Sequence, residues 1–158
     1  MKNGGDYTMD SGIVKQYGAL KREQLDIEYR IEGIKQSLER LNRTETMGTV
    51  YGGAGGKHRY EVEGNTEAYS RSKTALLDNK YRLQQINAQL IDTINQVEDC
   101  IANVASAEKR LILRLHYQDG LKWQEVAERM GAGYTGDAVR IAASRALREI
   151  DRKNAREK

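Results

Sequence analysis

Apolar residues recur along this chain at two spacings, and the change between them divides it. Ile13, Tyr17, Leu20, Ile27, Ile31, Ile34, Leu38 and Leu41 follow one alternation of three and four, interrupted only at Gln24. A helix buried along one narrow seam has that pattern, so a helix is predicted over 13–44. The periodicity stops at Gly48, Gly52, Gly53, Gly55, Gly56 and Gly64, and 48–65 reads as a flexible glycine-rich loop. A second helix is predicted over 66–104, where Tyr69, Leu76, Leu83, Leu90, Val97 and Val104 are spaced by seven. Between them Ser72, Asn79, Ile86, Thr93 and Cys100 leave half the seam polar, which stabilises a two-stranded coil poorly. Leu77, Ile91, Ile94 and Ile101 lie beyond the two-stranded pattern; such a widened face predicts a further packing partner, and with it a dimer through 13–104. The economical arrangement folds 13–44 back on 66–104 as a long antiparallel hairpin or coiled-coil arm. The same pattern allows these helices to pair between chains.

From residue 105 the apolar segments shorten. A helix over 107–117 places Leu111, Ile112 and Leu115 on one face and stops at Gln118, Asp119 and Gly120. The next, over 122–130, turns Trp123, Val126, Ala127 and Met130 inward, with the small Ala127 suited to a steep helix crossing. Gly131, Ala132 and Gly133 make a turn, Thr135 is placed to cap, and a third helix over 136–151 buries Val139, Ala142, Ala143, Ala146 and Ile150. The expected fold is therefore all-α: a helical arm at 13–104 followed by a three-helix, helix-turn-helix domain at 105–151. Residues 1–12, rich in glycine and poor in apolar side chains, are expected to be disordered, and 152–158 form a basic tail.

Composition sharpens this picture at one point. The net charge of +3 is unevenly spread: residues 105–158 carry +4 and residues 1–104 carry −1. Positive charge thus concentrates where the third short helix leaves Asp137, Arg140, Ile141, Ser144, Arg145 and Arg148 outward. An arginine-bearing helix start can enter a major groove and reach guanine O6 and N7, so double-stranded DNA is the expected partner. Lys122, Gln124, Tyr134 and Thr135, at the starts of the last two helices, complete the candidate contacts.

Other chemistry is not expected. The single cysteine, Cys100, cannot form an intrachain disulfide or a cysteine-rich zinc cluster, and His58 and His116 lack metal-ligand spacing. The Gly-Gly-Ala-Gly-Gly-Lys-His run fails the spacing of a nucleotide-binding loop and has no Ser or Thr after Lys57. No enzyme activity, cofactor or metal is anticipated. The chain has no apolar run of about 18 residues and no basic start followed by an apolar stretch, so no membrane span or secretory signal is expected, and the cytoplasm is the expected location.

The stretch from Leu111 through Trp123 to Met130, followed by Asp137-Ala-Val-Arg and Arg145-Ala-Leu, resembles region 4 of sigma-70-type factors. The order of long helix, glycine-rich loop, long helix and terminal domain is similar to that of the ArpU and RinA type late-gene regulators of phages and prophages of Gram-positive bacteria. The resemblance implies a transcription regulator that binds a promoter and contacts RNA polymerase. No counterpart of the sigma segment that binds the −10 element is present, which favours an activator or accessory factor over a complete sigma factor. Two other classes fit the same outline: a small-terminase-like DNA-packaging protein, and a coiled-coil module that binds another protein.

Overall fold

The computed structural model describes residues 10–47 and 63–156, with the backbone alone at 44–47 and 63–67. The described residues are all-helical, without strands. They form α1 (Ser11–Met47), α2 (Glu63–Ala102), α3 (Ala107–Leu113), α4 (Trp123–Met130) and α5 (Gly136–Arg156), and a π-helical turn, Arg114–Gln118, continues α3. None of these helices is long and apolar enough to cross a membrane. They divide into two compact units, 10–23 with 90–156, and 24–89.

The expected disorder at 1–12 and the expected loop at 48–65 lie mostly outside the described residues; where they do not, both are corrected. Helix α1 already begins at Ser11, because Asp10 Oδ1 accepts the amides of Gly12 at 2.8 Å and Ile13 at 3.2 Å. Helix α2 opens at Glu63, and α5 runs through the expected tail to Arg156.

In the first unit a single buried cluster draws on every helix. Val14 and Tyr17 of α1 meet Ile94, Val97, Ile101 and Val104, together with Ile112, Leu113 and Leu115, Val126 and Ala127, and Val139, Ala143, Ala146, Leu147 and Ile150. Ile94 and Ile101, expected to help mark an association surface, are buried inside their own chain. The third packing element is the C-terminal bundle itself. This cluster also crosses the boundary drawn from periodicity at residue 105, since the start of α1 and the end of α2 supply part of its core.

Polar bonds fix the same region. Ser11 donates from its backbone N and from Oγ to the Asp151 carboxylate at 2.7 and 2.9 Å, so a side chain of α5 satisfies the start of α1. Arg110 Nη1 donates to the Val104 and Ala105 carbonyls at 2.6 and 3.1 Å, Lys153 Nζ donates to Asn103 O at 2.9 Å, and Lys109 pairs with Glu149. Tyr17 Oη donates to Glu98 Oε1 at 2.6 Å. Burial, helped by the Glu98 carboxylate and by Asp119, pushes this phenol up to about 12.

Two positions in α3 depart from expectation. Leu111 is 44% exposed, whereas Leu113 is fully buried. A short helix enclosed on two sides buries two adjacent positions, Ile112 and Leu113, and leaves the residue before them in water. The π-helical turn widens the helix end: Asp119 N donates to Arg114 O and Leu121 N to Leu115 O, both at 3.0 Å, and Gly120 follows at φ +74°. His116 Nδ1 donates to Leu121 O at 2.7 Å, and its ring stacks on Trp123 with centroids 3.5 Å apart.

In the second unit Ile27, Ile31 and Ile34 are buried, and Leu76 and Leu83 of α2 are half-buried. Tyr69 Oη donates to Asn42 Oδ1 at 3.2 Å, and a groove is lined by Arg30, Gly33, Ile34 and Ser37 with Asn79 and Leu83. Late α1 thus meets early α2 within this unit.

Candidate nucleic-acid interface

The C-terminal helices converge at their starts. Glu125 Oε2 accepts the Lys122 amide at 2.7 Å and secures the first turn of α4. After Met130 the chain turns through Gly131 and Gly133, at φ +102° and +97°, a backbone region that side chains with a Cβ rarely enter. Thr135 then caps α5, its Oγ1 accepting the Ala138 amide at 3.2 Å and its carbonyl the Val139 amide at 3.0 Å.

Gly136 is where α5 meets α4. A Cβ there would lie 3.1 Å from Gln124 Oε1, 3.5 Å from Gln124 N and 3.6 Å from Trp123 C. Two helix N-termini, each with unpaired amides and the positive end of its dipole, therefore sit side by side. Asp137 and Glu125 in the two first turns offset part of that charge.

The outward face of α5 is as expected. Asp137, Arg140, Ile141, Ser144, Arg145 and Arg148 are all exposed, because Val139, Ala143, Ala146, Leu147 and Ile150 turn the opposite face into the core. Arg140 Nη2 leans toward Asp137 Oδ1 at 3.5 Å, an exposed pair that releases easily. Ser144 Oγ donates to Arg140 O at 3.1 Å, which leaves its oxygen able to accept. Ile141 is 45% exposed, an apolar contact within an otherwise polar face. Lys122 and Gln124 are exposed beside the start of α5.

Tyr134 and Thr135 stand apart from that group. Tyr134 is half-buried against the core, and the nearby Glu108 carboxylate raises its phenol, first by charge and also by a hydrogen bond. The hydroxyl of Thr135 is engaged in capping.

Pairing sorts the basic residues of this region. Lys109, Arg110 and Lys153 are clamps within the unit. Arg145, Arg148, Arg152 and Arg156 are exposed and have no hydrogen bond or ion pair with any described residue. Spacings of three and four put them along one flank of α5. Arg152 and Arg156 were missed because the helix was expected to end at 151; their continuation of the 145–148 spacing is the signal that could have found them. Among the described residues no three His, Cys, Asp or Glu side chains are grouped to hold a metal ion.

Comparison with family models, with curated proteins and with solved structures gives no match for this chain.

Proposed function

We propose that this chain is a sequence-specific double-stranded DNA-binding transcription regulator, a binding protein rather than an enzyme. The observation that carries the proposal is the close approach of Gly136 to Trp123 and Gln124, which joins two helix starts beneath an exposed, arginine-bearing face. In this reading α4, the turn at 131–135 and α5 form a helix-turn-helix, with α5 entering the major groove N-terminus first. Arg140, Ile141 and Ser144 meet base edges, where an arginine discriminates guanine and Ile141 suits a thymine methyl. Lys122, Gln124 and the adjoining amides meet phosphate on one side. Arg148, Arg152 and Arg156 meet it on the other and supply the salt-dependent share of binding.

The long helices form the antiparallel arm, which pairs two copies so that two weak reading heads act on one duplex. The protein works in the cytoplasm on phage or prophage promoters as an activator, with RNA polymerase as a further partner. Selection of duplexes by the full chain from a random pool tests this reading. The expected result is an enriched motif whose binding weakens steeply with salt. Failure to retain any duplex at low salt contradicts the proposal, and retention without a motif removes the sequence-specific part.

A further inference from the structure

The second unit presents a face whose two halves complement each other. In α1, Leu25, Glu28, Glu32 and Glu39 fall within an arc of about 60° at the helical repeat, and all four are exposed. In α2, Lys73, Leu77, Lys80, Tyr81 and Ala88 fall within an arc of about 100°. Leu25, Leu77 and Tyr81 are 64%, 46% and 64% exposed, large apolar side chains left in water on two adjacent helices. Measured in the same rotational sense from the seam of Ile27, Ile31 and Ile34 against Leu76 and Leu83, both arcs lie to one side. For antiparallel helices this means that they share one face. Along α1 that face is acidic over 28–39, where Lys35 at its edge pairs with Glu32 at 3.4 Å and Arg43 lies beyond the row, and along α2 it carries Lys73 and Lys80.

We infer that this face is the dimer contact, and that its occupant is a second copy of the chain turned about a two-fold axis parallel to the helices. The inference rests on the dimer of the proposed function and gives it a surface. Such an axis lays α1 of each copy over α2 of the other, so each acidic row covers a basic one, twice. The register set by the Tyr69–Asn42 bond and by the groove of Gly33, Ile34 and Ser37 with Asn79 and Leu83 brings Lys80 level with Glu32, and Lys73 with Glu39. It also places Leu25 of one copy over the small Ala88 of the other. The charged rows forbid the other two-fold arrangement, α1 over α1, which would set acid against acid.

Charge exchange tests this in the full chain, with mass read by light scattering and folding by circular dichroism. Wild type is expected to be a dimer that loosens with salt. Glu32→Lys with Glu39→Lys, and separately Lys73→Glu with Lys80→Glu, should each raise the dimer dissociation constant at least about tenfold while helix content stays intact. Mixing the two variants, or combining all four substitutions in one chain, should restore the dimer, a rescue that a folding defect cannot imitate. Dimerisation of both charge variants at wild-type strength overturns the face and leaves the dimer standing. A monomeric wild type overturns both.

Discussion

The two units are built from the same pair of long helices yet hold together differently. Among the described residues of 24–89 the buried apolar side chains are three isoleucines of α1, and their partners on α2 are half-buried. At 10–23 and 90–156 the same two helices bury Val14, Tyr17, Ile94, Val97, Ile101 and Val104 in one cluster with α3, α4 and α5. The difference lies in the number of neighbours: a helix with one partner hides a narrow stripe, and a helix wedged into a bundle hides two sides. The start of α1 and the end of α2 are thus part of the C-terminal core, which draws on five helices instead of three.

The most severe way to break this distinction is Val139→Asp, which buries an unpaired charge in the shared cluster at a cost of several kcal/mol. Hydrogen exchange should show protection lost at 10–23 and 90–156 together and retained at 24–89. Retained protection at 10–23 would separate the start of α1 from the bundle. Next in size is a paired comparison on one helix. Leu113→Ala should destabilise the first unit by about 2–5 kcal/mol, and Leu111→Ala by well under about 1 kcal/mol. Equal losses in denaturant melts would contradict the burial pattern.

That pair also shows why part of the fold was legible and part was not. The seams of α1 and α2 and most of the inward face of α5 follow from periodicity, because each long helix has one dominant buried side; on α5 the buried Leu147 was missed and Ala142, expected inward, is half-buried. Leu111, Val14 and Leu113 were misplaced or missed because burial on two sides leaves no single period to find. Ile94 and Ile101 gave a true signal of extra packing, but spacing does not distinguish a partner within the chain from a second copy. On the candidate site, the outward positions of α5 were recovered as far as Arg148, and Arg152 and Arg156 were missed. The engagement of Tyr134 with Glu108 depends on a contact distant in sequence, and the end of α5 on clamps such as Asp151 to Ser11.

A smaller effect separates the units by pH. Tyr17 is neutral and buried in the first unit, with its pKa raised from 10 to about 12. A phenol raised on folding contributes stability that is fully present below pH 10 and is lost as pH climbs through about 12. Alkaline titration should therefore weaken the first unit across that window, and Tyr17→Phe should flatten the dependence, although it also removes the bond to Glu98. An unchanged alkaline profile in Tyr17→Phe would assign the effect to other groups.

In the proposed function the outward face of α5 reads DNA. Fluorescence anisotropy of the full chain on its selected duplex and on a scrambled one, for wild type and Arg140→Ala, tests it most directly. Loss of a base-reading arginine should cost about 1–3 kcal/mol on the selected duplex and little on the scrambled one. Wild-type affinity of Arg140→Ala for the selected duplex would contradict the account.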